Sequence, residues 1–439
     1  MKILLVSPPF CTPSTMPYAI SYLKSYLERS FNITVKCLDL NAKFNKLRFK
    51  EIYSKKYSPE SLEEFDKASR PVYAMNNKLI VQHKFPELFD EMLTLIKKES
   101  SDIVAFSLVY NSQGFYTQRL IEELNKLNIP TFVGGPAVSH NLYEISKFLV
   151  DEHQFSEYLE KNYNLKRKIP NEVLPDFSDF AKRDYLTKEI VIPLRTSYSC
   201  YYKQCAFCTH HQSKNYREIP LEQIKKTIQQ SGYKNVFFFD DMISKKRLLE
   251  LAKVLKPLKV KWWCQLRPSK ELFGTFKTLY ASGLRSVSWG VESGNQRILD
   301  LMCKGTNIKD IEFVLKESHE AGINNLLFII IGFPTETRIE LLESIKFLER
   351  NNENIDLVST SRFGLQRGSK VFLYPEKFEV TEIQEKSRSI LDNQISYKVK
   401  SGMSQEEVRK YHHRYLRSFV KINKIPKYYN FFKEQTIFL

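Results

Sequence analysis

The chain alternates short apolar runs with amphipathic stretches, and it does so in two successive series. In the first, Lys2–Pro8, Ile33–Leu40, Asp102–Tyr110 and Thr131–Val138 read as buried strands, with Phe148–Val150 as a short fifth. Between them, Tyr18–Arg29 spaces Ala19, Ile20, Leu23 and Leu27 at helical intervals, and Gln113–Leu127 reads as another helix. Strands separated by helices pair in parallel, because a helical crossover returns the chain to the same end of a sheet. A doubly wound, Rossmann-like domain over residues 1–165 is the expectation, with residues 42–100 as a helical insertion. In the second series, strands fall near 191–196, 235–240, 259–267, 284–291, 323–331 and 355–362. Helices such as Leu221–Gln230 and Ile339–Glu349 lie between them. Six such units imply an open, partial (β/α)6 barrel over 191–375. Residues 166–190, with Pro170 and Pro175, read as a linker. Residues 376–439 read as a helical extension in which Val408, Tyr411, Tyr415, Phe419 and Ile422 share one face, a spacing that most often marks packing. The fold class is α/β.

Composition narrows the function classes. A chain of 439 residues with 42% hydrophobic residues has material for two or three cored domains. Met1–Val6 is too short an apolar run for a signal peptide, and no run reaches the ~18 apolar residues of a membrane span. A cytoplasmic protein without a membrane partner is expected. Lys and Arg (67) outnumber Asp and Glu (50). The lysines are dispersed, as in Lys97-Lys98-Glu99, and read as solvated surface rather than a nucleic-acid patch. Seven cysteines, three of them within nine residues, do not form a disulfide framework.

Those three carry the chemistry. Cys200-Tyr-Tyr-Lys-Gln-Cys205-Ala-Phe-Cys208-Thr-His210-His211 follows the first strand of the second series. Three thiolates on one loop at the carboxyl end of a barrel strand can reach one metal centre. A structural zinc would take His210 or His211 as fourth ligand. A 4Fe–4S cluster would take three thiolates and leave one iron open. Zinc sites usually pair two separated ligand pairs, and no second pair follows here, so the cluster is favoured.

With these residues in place, the chain resembles the radical S-adenosylmethionine (SAM) superfamily, and within it the class B-type members that carry an N-terminal cobalamin-binding domain. The commonest cysteine spacing there is three residues, then two. The four-then-two spacing here, with Tyr201 and Tyr202 in the widened gap, resembles a variant in that subgroup. Leu174–Phe180 resembles the segment preceding its barrel. Gly290-Val-Glu292-Ser293-Gly294 and Ile331-Gly332-Phe-Pro334-Thr-Glu336-Thr337 resemble its fourth- and fifth-strand motifs. Gly134-Gly135-Pro136 resembles the loop after the fourth strand of its cobalamin domain.

The resemblance implies three cofactors: a 4Fe–4S cluster on Cys200, Cys205 and Cys208, SAM on the open iron, and cobalamin. An external donor would supply the electron that cleaves SAM to a 5′-deoxyadenosyl radical. It further implies Phe207 beside adenine, Asp240 and Asp241 at the SAM ammonium, and Gln265 and Arg267 at its carboxylate. Glu292 and Ser293 are implied at the ribose or amino-acid moiety, and Gly332 and Pro334 where the backbone passes adenine. Ser107, Gly134, Gly135 and Pro136 are implied at the cobalamin. The loop Ser7–Pro13 lacks the histidine of the Asp-x-His-x-x-Gly signature. Asp151-Glu152-His153 matches it only in part, with Ser156 in the place of glycine, and is read as a departed loop rather than an axial ligand. Cys11 is read as a small residue near the ligand, not a cobalt ligand.

The implied activity is methyl transfer to an unactivated carbon of a peptide or small metabolite. Rearrangement, cyclisation or ring contraction with the same cofactors is the alternative. A zinc-stabilised nucleic-acid-binding module is the alternative outside the family. Methylthiotransferases normally carry further cluster cysteines in the N-terminal domain, where this chain has only Cys11 and Cys37.

Overall fold

The computed structural model describes residues 1–439 apart from Val150, Ser213, Lys214 and Ser389. The chain divides into two compact units. One comprises Met1–Pro193, Lys226–Tyr233 and Ser387–Asn393; the other comprises Leu194–Lys225, Lys234–Lys386 and Gln394–Leu439. No helix among the described residues is long and apolar enough to cross a membrane.

The first unit is built on a parallel sheet of order β2-β1-β3-β4-β5, with β1 Lys2–Ser7, β2 Thr34–Asp39, β3 Ile103–Ser107, β4 Thr131–Gly134 and β5 Lys147–Leu149. The strands read as unbroken apolar runs because helices cover both faces, leaving Ile3–Val6 wholly buried. The fifth strand starts one residue earlier than expected, and Val150 lies outside the described residues. Residues 42–100 are helical, as the pattern predicts. The helix Pro59–Val81 begins with a serine cap at Ser58 and proline in its first turn. It carries Tyr73 onto the ring of Phe10, with centroids 4.7 Å apart and planes at 19°.

Residues 166–190, expected as a linker, belong to this unit and are fastened to it. Lys24 lies 2.7 Å from Asp176 and 2.9 Å from Asp179. Asp179 also accepts from Lys36 and from the Cys37 amide. Asp184 holds Lys43 and Lys46, and the Leu186 amide donates to Pro13 O. Lysines that composition assigned to solvated surface thus serve here as partners.

The second unit contains β6 Ile192–Leu194 (its first residues closing the preceding unit), β7 Ser197–Tyr198, β8 Arg217–Glu218, β9 Asn235–Phe238, β10 Lys261–Leu266, β11 Leu284–Glu292, β12 Asn324–Ile331 and β13 Leu357–Arg362. Six of these form one sheet in the order β13-β12-β11-β10-β9-β6, with β9 to β13 paired in parallel. β7 and β8 form a small antiparallel pair. In β12, Asn325, Leu327, Ile329 and Ile331 are buried. Asn325 bonds Ser318 of the helix Ile308–Glu320, which marks that face as the helix-covered one. Asn324, Leu326, Phe328 and Ile330 alternate onto the opposite, inner face.

The extension 376–439 contains the helix Gln405–Ile422 that its periodicity predicts, and also an antiparallel hairpin, β14 Val380–Lys386 and β15 Gln394–Val399. The hairpin's strands are too polar to announce themselves as apolar runs. Its last segment, Lys433–Phe438, packs on the inner face of the sheet. Thr436 Oγ1 lies 2.8 Å from Ser286 Oγ, and Asn324 Nδ2 donates to Thr436 O.

Candidate active site

The cysteine loop is pinned by protein groups along its length. Where it leaves β6, Asp240 accepts hydrogen bonds from the amides and hydroxyls of both Thr196 and Ser197, at 2.7–3.0 Å. The Tyr202 hydroxyl donates to Cys303 O at 2.9 Å. Lys370 Nζ donates to Gln204 O at 2.9 Å. Ala206, fully buried, donates to Met302 O and accepts from the Val371 amide. Between these anchors, Cys200, Cys205 and Cys208 are half-buried free thiols.

Burial pushes the Cys205 and Cys208 thiols up, against the pull of nearby Lys304. Binding to iron removes such protons outright. The His210 amide lies 3.4 Å from Cys208 Sγ, placed to donate to a thiolate. Each of the two histidines of the zinc alternative has one ring nitrogen engaged with the protein. His210 Nε2 lies 2.9 Å from Asp241 Oδ2, which raises the histidine pKa, and His211 Nδ1 lies 3.1 Å from Cys208 O. Among the described residues, no group of three His, Cys, Asp or Glu side chains surrounds a single ion-sized site. A donor set of three thiols on one loop fits a 4Fe–4S cluster, which asks one thiolate of each of three irons.

The other expected SAM residues sort into two groups. Asp240 is saturated by the strand-to-loop turn, so its role is to hold that turn; Asp241 is the acid left partly exposed beside the cysteine loop. Arg267 is likewise spoken for. It lies 3.8 Å above the Tyr202 ring, donates to Lys304 O and pairs with Glu271. Ser293 is fully buried, with its hydroxyl against Ser344 Oγ and accepting from the Asn295 amide. Gly332 has φ +79°, and a Cβ there would come within 2.4 Å of Val408. It abuts the helix Gln405–Ile422 and donates to buried Glu336, while Pro334 lies buried in the same turn.

Glu292 and Phe207 both lie against one further cation, Lys304. The residue that sequence reasoning missed is Lys304. Its ammonium lies 2.9 Å from Glu292 Oε1 and 5.7 Å from the Phe207 ring centroid, almost wholly buried. Burial pulls its pKa down, but Glu292 and Cys205 outweigh this and raise it. Lys304 is therefore a second charged cation beside the cysteine loop, in addition to Arg267 on the Tyr202 ring. Met302-Cys303-Lys304-Gly305 carries no local signal for this, since the position is made by the fold of β11 and the turn after it. Gln265 pairs in register with Ser288 and so points from β10 to the inner face, with no hydrogen-bond partner for its side chain among the described residues.

In the first unit, Ser107 ends β3 and pairs in register with Gly134 at the end of β4. Gly135 has φ +111°, and a Cβ there would lie 2.2 Å from Leu108 O, so only glycine lets these two loops touch. Ser107, Gly134, Gly135 and Pro136 are thus brought together at the carboxyl edge of a doubly wound sheet, where such sheets bind ligands. Val109 and Tyr110 stand exposed beside them. Gln113 ties this edge together by accepting from both their amides and donating to Pro8 O. His153 lies on the helix Glu152–Tyr163, with Nδ1 2.7 Å from Arg167 and its ring edge against Tyr26. Asp151 caps that helix. Cys11 is half-buried, its backbone held by Asn41, Asn45 and Tyr73, and burial raises its thiol pKa. Cys37 is buried, with its thiol on Ile20 O.

Residues 194–348 match the radical SAM superfamily model. By sequence the chain is 24% identical over 312 residues to an uncharacterized methyltransferase of Pyrococcus horikoshii, covering 60% of this chain and 67% of that one. An uncharacterized protein of Methanocaldococcus jannaschii is 24% identical over 200 residues, covering 38% of this chain and 60% of its own length. By structure the chain is similar to the cobalamin-dependent S-adenosylmethionine radical enzyme OxsB, with TM-score 0.65 at 14% identity over 94% of this chain and 67% of that one. It is similar to the radical S-adenosylmethionine methyltransferase TsrM of Kitasatospora setae, with TM-score 0.63 at 13% identity over 96% and 88%. At these identities the likeness to solved structures is one of fold. Residues 194–348 are thus similar to the radical SAM superfamily of enzymes, and over nearly its whole length the chain has the fold of OxsB and TsrM.

Proposed function

We propose that the chain is a cobalamin-dependent radical SAM methyltransferase acting on an unactivated carbon of a peptide or small-metabolite substrate. One observation carries the reading. A three-thiol loop, fastened beside the buried Lys304–Glu292 pair, shares a chain with a doubly wound sheet whose ligand edge is opened by Gly135 and whose Ser7–Pro13 loop carries no histidine. The likeness to OxsB, a cobalamin-dependent radical enzyme, and to TsrM, a radical SAM methyltransferase, supports it.

When bound, the cluster supplies an electron to SAM, and cobalamin supplies a transferable methyl group. The chain's own residues prepare the place. Cys200, Cys205 and Cys208 would hold the cluster. Lys304 offers a fixed positive charge, suited to the SAM carboxylate, and its pairing with Glu292 keeps it aimed. Phe207 offers a ring face, and Gln265 a neutral amide for substrate or SAM. Ser107 and Gly134–Pro136 would flank the corrin. An external reductant is the required protein or chemical partner.

The test uses the full chain, reconstituted anaerobically with iron, sulfide and a corrinoid. The expected protein is brown, binds four irons and retains the corrinoid. With a reductant it cuts SAM to 5′-deoxyadenosine. With the substrate labelled at the reacting carbon, label enters deoxyadenosine, the product gains one methyl group, and S-adenosylhomocysteine accompanies it. Label transfer without mass gain would replace methyl transfer by rearrangement. A colourless zinc protein would overturn the reading altogether.

A further inference from the structure

Lys433 is an ammonium without an anion. It belongs to the Lys433–Phe438 segment on the inner face of the sheet, and its Nζ lies 4.3 Å from the ring centroid of Phe328. No hydrogen-bond acceptor or ion-pair partner holds that nitrogen among the described residues. Burial lowers the lysine pKa, opposed by the charge of the adjacent Glu434. A cation on a ring face in a partly dry site is an incomplete arrangement.

Three further polar groups stand on the same face without partners. Ser288 is two residues along β11 from Ser286, which Thr436 of the same segment touches, so both serines point inward. Ser288 Oγ is fully buried and makes no hydrogen bond. Trp263 pairs in register with Ser286 across β10 and β11, and its Nε1 is also buried and unpaired. The neighbouring Trp262 turns the other way, its indole donating to Ser282 O. Gln265 pairs in register with Ser288, and Ser288 with Leu326, one position from the level of Phe328. A buried polar atom left unpaired is costly, so two on the same face as an unpaired ammonium call for a ligand.

We propose that this inner face, around Lys433, Ser288, Trp263 and Gln265, binds a carboxylate group of the substrate. All four side chains can donate, and only one is charged, which suits a single negative charge better than a phosphate dianion. The Ser288 and Trp263 atoms are closed from solvent, and Lys433 presents its ammonium on the Phe328 ring. The proposal rests on the radical SAM reading for the substrate's entry into the inner face, and it deepens that reading by naming a substrate class.

The probes are straight-chain monocarboxylates from butyrate to octanoate and their primary amides, titrated into the reconstituted full chain by calorimetry and tryptophan fluorescence. At the best chain length the acid should bind at least about tenfold tighter than the amide. Lys433→Met and Lys433→Gln should abolish that preference, and Lys433→Arg should keep part of it, all three with unchanged melting temperature. Equal binding of acid and amide, tighter binding of inorganic phosphate than of any acid, no saturable binding, or a preference that survives Lys433→Met would each overturn the proposal. SAM cleavage is followed in the same preparations. If the unmodified chain cuts SAM but shows no acid preference, this site alone fails; if it cuts no SAM, the functional reading fails instead.

Discussion

Replacing Asp240 separates two roles that an acid at the end of β9 can play. In the structure its Oδ1 accepts from the Thr196 amide at 3.0 Å, the Thr196 hydroxyl at 3.0 Å, and the Ser197 amide and hydroxyl at 2.7 Å each. Its Oδ2 accepts from the Thr196 amide at 2.8 Å. Asp240→Asn keeps one oxygen for most of these donors but turns an NH2 toward the Thr196 amide. Loss of a charged hydrogen bond costs about 1.5–3 kcal/mol, partly offset because burial already disfavours the charge. A net loss of about 2 kcal/mol lowers the melting temperature by about 4–8 °C for a unit of this size. Asp240→Ala strands two buried backbone amides and costs about 3–5 kcal/mol. Two measurements decide: thermal unfolding of the chain before iron is added, and SAM affinity of the fraction that still assembles a cluster. The expected pattern is lower melting temperature and lower iron content with SAM affinity unchanged. An unchanged melting temperature with SAM affinity down about tenfold or more would refute the reasoning and return Asp240 to the SAM ammonium.

Cys200→Ala, Cys205→Ala and Cys208→Ala should each lose the four-iron cluster by iron count and visible absorbance, while Cys264→Ala and Cys303→Ala keep it. Burial raises Glu336 from 4.5 to about 8, so above pH 4.5 the unfolded chain releases a proton that the folded chain retains. Stability therefore falls as pH rises from about 4.5 to 8 and then levels off; Glu336→Gln, neutral throughout, should flatten that decline when both proteins are melted between those limits. His153→Gln should leave the visible spectrum of bound corrinoid unchanged, because the imidazole is engaged with Arg167; a shift confined to this variant would make it a cobalt ligand.

The sheets were legible because parallel strands covered on both faces must be apolar from end to end, as Ile3–Val6 and Leu326–Ile331 are. The cysteine trio was legible because its chemistry needs three thiolates on one loop, which is a local pattern. What stayed hidden depends on contacts distant along the chain. Asp240 and Asp241 are neighbouring acids, and only the approach of Thr196 and Ser197 decides which is consumed by the backbone. Arg267 and Lys304 are both cations near the site, and the Tyr202 ring takes one while Glu292 takes the other. The hairpin of β14 and β15 escaped notice because Thr381, Glu382, Gln384, Glu385 and Lys386 dilute its alternation below what an apolar pattern can register.

The chain passes from one compact unit to the other after residues 193, 225, 233, 386 and 393. Such interlaced connectivity makes either half a poor candidate for exchange or excision. A gene fragment ending within 166–190 would omit Lys226–Tyr233 and Ser387–Asn393, both of which the first unit counts as its own. It would remove Glu172's partner Lys226, and with Ser387–Asn393 the acceptor at Ile390 for the Ser139 hydroxyl and the Asp392 carboxylate on the His140 amide. A single protease cut in that stretch would leave the same pieces still belonging together. Recombination that mixes modules by joining them end to end has no clean seam here, so the two halves are expected to be inherited, and to diversify, as one piece.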